Sequence, residues 1–369
     1  MARQIEAKTL REWLEQQRPV TVLDIRTDKD REQWSIPGSI HVNAYEALRQ
    51  GEPGPLRDAS VPQGRPVVTV CNAGRMSETA AEFLTGRGLE VFSLAGGMKA
   101  WSTAWNFAEV PVTDSATRVI QIRRTGKGCL SYLIASRGEA AVIDASVGSE
   151  VYTNIAKQHD TRIRWVLETH IHADHLSRAS QLADEHGAQI VLPAQDRARF
   201  PFDAISDGDQ LLVGAATLTA MRTPGHTDES TAYLLNSEVV FSGDTLFVDG
   251  VGRPDLHAGV NGAQARAAAL FHSLTRLRAL PPQVLVLPAH TGKPVAFDGR
   301  AVLGRLGDIE QWLAKWLVSE DSFIERVTSR MPPTPPNFST IVGLNEAGRQ
   351  AEGDPTELEA GANRCAISA

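Results

Sequence analysis

The chain has 369 residues, 42% of them hydrophobic and 22% charged, and carries a formal net charge of -7. That length exceeds what one ordinary core holds and the composition is globular, so two domains and a tail are expected. The acidic balance, with no basic tract to neutralise a run of phosphates, excludes a general nucleic-acid binder. No run is apolar enough for a spanning helix, and the charged start Met1-Ala2-Arg3-Gln4-Ile5-Glu6 is unlike a signal peptide. A cytoplasmic location without a membrane partner is therefore expected, and a homo-oligomer is compatible with the composition. Cys71, Cys129 and Cys365 are odd in number and far apart, which fits a reducing compartment better than a disulfide framework.

In chain order, strand-like runs at Val20 to Leu23 and Pro66 to Val70 alternate with a helical stretch from Ser77 to Leu84. This pattern predicts a small α/β unit with a parallel sheet over residues 1–112. Pro111, Asp114 and Ser115 punctuate a connector. A second α/β region is expected over 117–331, with strands at Ser131 to Ile134, Ala140 to Ile143, Arg164 to Leu167, Gln189 to Leu192, Val239 to Ser242 and Val284 to Leu287. Helices fit at Leu176 to His186 and Ala263 to Arg278. Pro332-Pro333-Thr334-Pro335-Pro336 cannot continue a helix and opens a polar, Gly-rich tail over 332–369, either loose or packed on the second region.

Two stretches carry chemistry. Cys71-Asn72-Ala73-Gly74-Arg75-Met76-Ser77 follows a buried-looking strand and opens a helix, so the backbone N–H groups of a tight loop are placed to stabilise a thiolate and bind an anion. Gly74 permits the turn and Arg75 adds positive charge. Thr169-His170-Ile171-His172-Ala173-Asp174-His175 packs three imidazoles and a carboxylate into a short loop after an apolar run, which reads as a metal site. His226, Asp244 and His290 each follow another strand-like run, and strand ends are where ligands converge in an α/β sheet. His41, His159, His186, His257 and His272 lie outside this pattern and read as surface or packing residues, with His257 the one placed to face a pocket. Cys129 reads as a buried thiol, and Trp312 and Trp316, one helical turn apart, as core contacts.

The order Leu23-Asp24-Ile25-Arg26, Trp34 to Asn43, the Cys71 loop and Leu94-Ala95-Gly96-Gly97-Met98-Lys99-Ala100-Trp101 resembles a rhodanese domain over roughly residues 5 to 112. The resemblance implies a sulfurtransferase fold in which Cys71, assisted by Arg75, carries sulfane sulfur as a persulfide. Many single-domain relatives have arginine where Met76 stands here, so the donor preference does not carry over.

The histidine and aspartate set resembles the metallo-β-lactamase superfamily over about residues 117 to 331, which implies an αβ/βα sandwich with metal at the sheet edges. In that superfamily His170, His172 and His226 would hold one metal and Asp174, His175 and His290 another, with Asp244 between them. Two adjacent metals suit hydrolysis by a bridging hydroxide. Gly252-Arg253-Pro254-Asp255-Leu256 and the terminal Gly361-Ala362-Asn363-Arg364-Cys365 are similar to the persulfide dioxygenase branch of that superfamily. That branch implies one Fe(II) per chain held by His170, His226 and Asp244, with His172, Asp174, His175 and His290 orienting the ligands, and Arg253, Asp255, Arg364 and Cys365 near substrate. The expected activity is oxidation of a low-molecular-weight thiol persulfide (glutathione, coenzyme A or similar) with O2 to sulfite, coupled to thiosulfate and sulfite exchange through Cys71. One alternative is a dinuclear zinc glyoxalase II-like thioester hydrolase. Another is a non-catalytic sulfur-relay or sensing protein.

Overall fold

The structure, a computed structural model, describes residues 2–256, 259–292, 294–361 and 363–369. His257 and Ala362 therefore lie outside the described residues. The first unit holds a parallel sheet with strands in the spatial order Arg3–Ile5, Val91–Leu94, Val67–Val70, Thr21–Asp24 and Ile40–His41. Val67–Val70 is buried at every position, as a central strand covered on both faces must be. Alternation divides its side chains. Val67 packs with Ala80, Ala81 and Leu84 of helix Arg75–Gly86, whereas Val68 and Val70 pack with Leu10 of helix Ala7–Glu15.

Strand Asn106–Val110 pairs antiparallel with Thr117–Arg124, Asn106 opposite Arg123 and Val110 opposite Val119. It therefore belongs to the second region's sheet, so the division between sheets falls before residue 106 and the Pro111 to Ser115 punctuation is the turn of a hairpin. That sheet continues through Cys129–Ser136, Glu139–Ile143, Arg162–Leu167 and Gln189–Pro193 to Asp203–Ile205. The facing sheet runs Gln210–Val213, Ala216–Arg222, Thr231–Leu235, Val239–Gly243, Leu285–Pro288 and Gly304–Arg305.

Tyr132, Ile134, Ile143 and Leu167 from one sheet meet Leu218, Tyr233, Phe241 and Leu287 from the other. Fully burying each large apolar side chain stabilises by about 1.5–3 kcal/mol, so this seam is the main apolar contribution to the sandwich. Tyr152, Ile155 and Leu182 cover the outer face of the first sheet, and Leu270, Leu274, Leu277, Leu313 and Trp316 that of the second. The result is the αβ/βα sandwich expected from the sequence, preceded by the parallel-sheet unit.

The tail is not loose. It forms helices Phe338–Glu346 and Thr356–Glu359, and its strand Ala366–Ser368 pairs antiparallel with Gly250–Gly252. Buried Ile341, Val342, Cys365 and Ile367 supply the apolar area that holds it down. Tail groups also shorten a neighbouring helix: the segment expected to be helical from Leu176 starts at Ala179. Leu176 N donates to Glu359 Oε1 at 2.8 Å and Ser177 N to Asn345 Oδ1 at 2.9 Å, which fixes residues 176–178 as a loop on the tail.

Candidate metal centre and sulfur loop

The histidine loop leaves strand Arg162–Leu167, while His226, Asp244 and His290 follow the strands Ala216–Arg222, Val239–Gly243 and Leu285–Pro288. All three strand ends open toward that loop. Gly243 makes the approach possible: its φ is +54°, and an added Cβ would stand 2.7 Å from Thr169 Oγ1. Asp144, in the left-handed region at φ +55°, spans the same junction. Its carboxylate accepts from Thr169 N at 2.7 Å and from Thr169 Oγ1 at 2.9 Å, bonds that compensate the backbone cost.

Donor atoms of His170, His226 and Asp244 lie within 4.8 Å of one another, all buried. Asp244 Oδ2 is 3.8 Å from His170 Nε2 and 3.5 Å from His226 Nε2, and it has no hydrogen-bond partner. His226 Nδ1 faces the Arg253 carbonyl oxygen at 2.7 Å, so it donates its proton there and leaves Nε2 with a lone pair. His170 Nδ1 donates to Thr169 Oγ1 at 2.9 Å, whose own proton goes to Asp144. Burial, and then the charge of His172, holds the His170 pKa well below the usual imidazole range; burial also lowers that of His226. For Asp244 burial acts the other way, but His290 and the other imidazoles outweigh it and hold the carboxyl in its charged form. Two neutral imidazoles and a carboxylate with a free oxygen are what a divalent ion requires. Atoms about 2.0–2.2 Å from a shared ion stand about 3.3–3.6 Å apart in a tetrahedron, so these residues fit a metal with small closing shifts.

His172 stays outside this group. Its Nε2 sits 3.1 Å from Asp144 Oδ1 and 3.0 Å from Glu168 Oε2. Burial disfavours its charge, but Asp144 and then Glu168 outweigh that and raise its pKa well above the ordinary value. Its Nδ1 is buried without a hydrogen-bond partner, and its ring lies 4.2 Å from that of His170, so His172 adjoins the group without sharing its 4.8 Å cluster. Asp174, His175 and His290 form a neighbouring group with Cys129, again with donor atoms within 4.8 Å. His290 Nδ1 stands 2.6 Å from Asp244 Oδ1 and its Nε2 2.9 Å from Asp174 Oδ2, so His290 joins the two groups. For the Cys129 thiol, burial and Asp174 act upward, while the His175 and His290 imidazoles prevail and bring its pKa down to about 7.

Arg253 and Asp255 hold structure rather than facing substrate. The pair is bidentate, Nε to Oδ1 and Nη2 to Oδ2 both at 2.7 Å, and Arg253 Nη1 donates to the carbonyls of Pro333 and Arg364. With four of its five guanidinium N–H groups engaged and 1% of its surface exposed, Arg253 is held mainly by the protein itself. Its backbone instead orients His226 through the carbonyl and anchors the tail, its N–H donating to Cys365 O at 2.9 Å. Arg364 donates to Thr334 O and to Gln33 Oε1 of the first unit. Cys365 is 1% exposed beside Asp244 and His290, and burial pushes its pKa up.

In the first unit Cys71 closes strand Val67–Val70, 2% exposed, and Gly74 N donates to its Sγ at 3.1 Å. Gly74 takes φ +92°, and Gly97 packs so close that a Cβ there would stand 2.7 Å from Gly74 N. Arg75 begins the following helix and is exposed, at the mouth of the loop rather than folded over the sulfur. Arg26 is wholly buried and bidentate to Asp24, Nε to Oδ1 at 2.9 Å and Nη2 to Oδ2 at 2.7 Å, bracing the sheet end beside the loop.

Residues 124–290 match the model of the metallo-beta-lactamase superfamily, and residues 6–104 that of the rhodanese-like domain. A hydroxyacylglutathione hydrolase of Anaeromyxobacter dehalogenans is 32% identical over 197 residues, 51% of this chain and 74% of that protein. The chain belongs to the metallo-beta-lactamase superfamily. Its rhodanese-like domain precedes the superfamily domain, and membership implies that the strand-end cluster binds metal. Among solved structures, a metallo-beta-lactamase from Staphylococcus aureus superposes with a TM-score of 0.60 at 26% identity, covering 65% of this chain and 76% of that one. ETHE1 from Myxococcus xanthus superposes with a TM-score of 0.54 at 27% identity, covering 66% of this chain and all of that one. Among the described residues no helix is long and apolar enough to cross a membrane.

Two residues were not legible as parts of the site: Asp144 and Glu168. Asp144 ends the run Ala140-Ala141-Val142-Ile143 as Asp244 ends its own strand, which was the available signal. Cys129, read from the sequence as a buried thiol, is buried, but among metal-type donors.

Proposed function

We propose that this superfamily member oxidises a low-molecular-weight thiol persulfide with O2, giving sulfite and the free thiol, at one Fe(II) held by His170, His226 and Asp244. The net reaction balances as RSSH + O2 + H2O → RSH + H2SO3. The observation that carries the reading is the donor set: two neutral imidazole nitrogens and one unpartnered carboxylate oxygen clustered together, with His172 outside that cluster and its Nε2 held by Asp144 and Glu168. A two-histidine, one-carboxylate face suits Fe(II) because it leaves coordination positions for substrate and oxygen. The likeness to ETHE1 over its full length and the Gly252 to Leu256 element support the same choice.

The protein residues have distinct tasks. Thr169 and the Arg253 carbonyl fix the tautomers of His170 and His226, and His290 holds the Asp244 oxygen that faces away from the histidines. Glu168, His170, Ile171, Leu192, Phe200 and Arg349 line a small open cleft beside His170, on the side from which a thiol carrier would approach the centre. Cys71 exchanges sulfane sulfur with thiosulfate: its thiolate attacks the outer sulfur, an S–S bond forms on Cys71, and sulfite leaves with the electron pair of the broken bond. A thiol then removes that sulfur as its persulfide, or the sequence runs in reverse. The carriers, glutathione, coenzyme A or a similar thiol, are part of this proposal.

The test is oxygen uptake by protein loaded anaerobically with Fe(II), on adding glutathione or coenzyme A persulfide, with sulfite assayed at the end. Uptake with stoichiometric sulfite that disappears in His226→Ala is the expected result. No uptake with either persulfide, together with thioester hydrolysis by the zinc-loaded protein, would transfer the site to the chemistry named for the hydroxyacylglutathione hydrolase relatives.

A further inference from the structure

We infer that a cavity between the two units binds a small tetrahedral oxyanion, of the chemistry shared by sulfate, thiosulfate and phosphate. It is lined by no metal-type histidine and by no residue of the Cys71 loop, so the inference stands whether the metal centre oxidises persulfides or hydrolyses thioesters. The cavity, of about 260 Å³, lies where helix Ala7–Glu15 of the first unit, residues 146–150 of the second region and Glu359 of the tail meet. Pockets for drug-sized molecules measure about 300–1,000 Å³, so this one suits a small ion with a few waters.

Its charge is the first reason. Lys8, Arg11, Arg124 and Arg178 line it against two carboxylates, Glu150 and Glu359. Arg11 is shared with Glu12 and Glu15 of its own helix, but Lys8 is exposed and has no ion-pair partner among the described residues. Arg124 and Arg178 both pair with Glu359, at 2.7 and 3.2 Å, so this buried trio keeps one positive charge in excess. A buried excess charge is costly until a counter-ion meets it. Arg124 has donors to spare, since its five N–H groups make three contacts, with Ser102 O, Ser146 O and Glu359.

Helix Ser149–Gln158 also begins here. Its N-cap is Gly148, which has no side-chain oxygen to offer, and no side-chain capping bond satisfies its first N–H groups. Those groups and the helix dipole favour an anion. Ser146 is the independent sign of a ligand: it lines the cavity, is 1% exposed, and its Oγ has no hydrogen-bond partner among the described residues. Its backbone is satisfied, the N–H by Tyr152 Oη at 2.9 Å and the carbonyl by Arg124 Nη1 at 3.3 Å, so only the hydroxyl is left. Buried hydroxyls are seldom left so, and an oxyanion would accept this proton. Glu150 is the one competitor. Its carboxylate lies over Gly148, but the residue is exposed and no described group holds it, so it is free to turn to solvent when an ion enters. A bound ion would tie helix Ala7–Glu15 to the second region and, through Arg124 and Arg178, to the tail.

The experiment is calorimetric titration of the metal-loaded, full-length Cys71→Ser protein with sulfate, thiosulfate and phosphate at low salt, with hydrogen exchange read by mass spectrometry to locate the ion. Cys71→Ser keeps thiosulfate from reacting at the sulfur loop. Direct binding is read because sulfate and phosphate raise the stability of any protein by exclusion from its surface. One saturable site that slows exchange at residues 146–151 is expected. Ser146→Ala should weaken it about tenfold, Lys8→Gln by a smaller factor that shrinks as salt is added, and Glu150→Gln should strengthen it. Lys8 and Glu150 are exposed, so those two variants keep the fold and decide the matter even where Ser146→Ala does not. Tighter binding of thiosulfate than of phosphate assigns the site to sulfur oxyanions, and the reverse order to phosphate. No saturable binding of any of the three, no slowed exchange at 146–151, affinities unchanged in Lys8→Gln and Glu150→Gln, or binding lost only in His226→Ala would overturn the inference.

Discussion

Glu359 joins three parts of the molecule, and replacing it with alanine should be the most damaging change outside the metal ligands. Its Oε2 pairs with Arg124 Nη2 at 2.7 Å, and its Oε1 with Arg178 Nη2 at 3.2 Å and Leu176 N at 2.8 Å. Glu359 is 1% exposed and Arg124 2%, so water cannot replace the lost partner. Arg124 would keep only its bonds to the carbonyls of Ser102, at the end of the first unit, and Ser146. Removing one member of a buried ion pair typically costs about 3–5 kcal/mol, because the remaining charge stays buried. The Lys99–Glu357 pair, whose exposed glutamate lies on the same helix as Glu359, provides the control, as surface pairs contribute about 0–1 kcal/mol.

Urea unfolding followed by tryptophan fluorescence should therefore show a large fall in midpoint for Glu359→Ala and almost none for Glu357→Ala. Burial acts to raise the Glu359 pKa, yet Arg124 and Arg178 outweigh it and hold the carboxyl below its ordinary 4.5. A depressed folded-state pKa gives stability that is present above the unfolded value and lost as pH falls through the folded one. The gap between wild type and Glu359→Gln should accordingly be full at neutral pH and shrink as pH falls below the ordinary carboxyl value of 4.5. Equal midpoints for Glu359→Ala and Glu357→Ala at neutral pH would refute the burial argument.

Three further outcomes are expected. Cys71→Ser should abolish loading of sulfane sulfur from thiosulfate, read by mass spectrometry, and leave metal content unchanged, since the loop and the metal groups share no ligand. Gly243→Ala should destabilise by about 1–3 kcal/mol and weaken metal retention on dialysis, because φ +54° is strained for alanine and its Cβ would press on Thr169. Arg253→Lys should keep the charge but lose the paired bonds to Asp255 and the carbonyls of Pro333 and Arg364, so Cys365 should become accessible to a thiol reagent.

The strands that position the centre were readable because their periodicity is local. Val67–Val70 and Val239–Gly243 are mostly apolar and buried through their length, and the donors stand directly after them. Strands Ala216–Arg222 and Thr231–Leu235 escaped notice because small residues and threonines weaken the alternation that would mark them. The tail misled more. Its prolines and glycines read as an extended segment, while the few apolar side chains that fasten it are scattered and gain their meaning only against partners far away in sequence.

By itself, then, the sequence determined two α/β regions, a thiol loop at a strand end and a set of imidazoles and carboxylates rich enough to bind metal. Each of these depends on residue type and spacing within a few turns or strands of chain. Only the tertiary structure decided how the donors divide: His172 to Asp144 and Glu168, His170 and His226 to Asp244, and Cys129 to Asp174 and His290. The deciding contacts span 45 residues from Cys129 to Asp174, 116 from Asp174 to His290 and 183 from Leu176 to Glu359. Side-chain hydrogen bonds act over about 3 Å of space and leave no periodicity along the chain, so which partners share an ion is set by how the sheets and tail close around them.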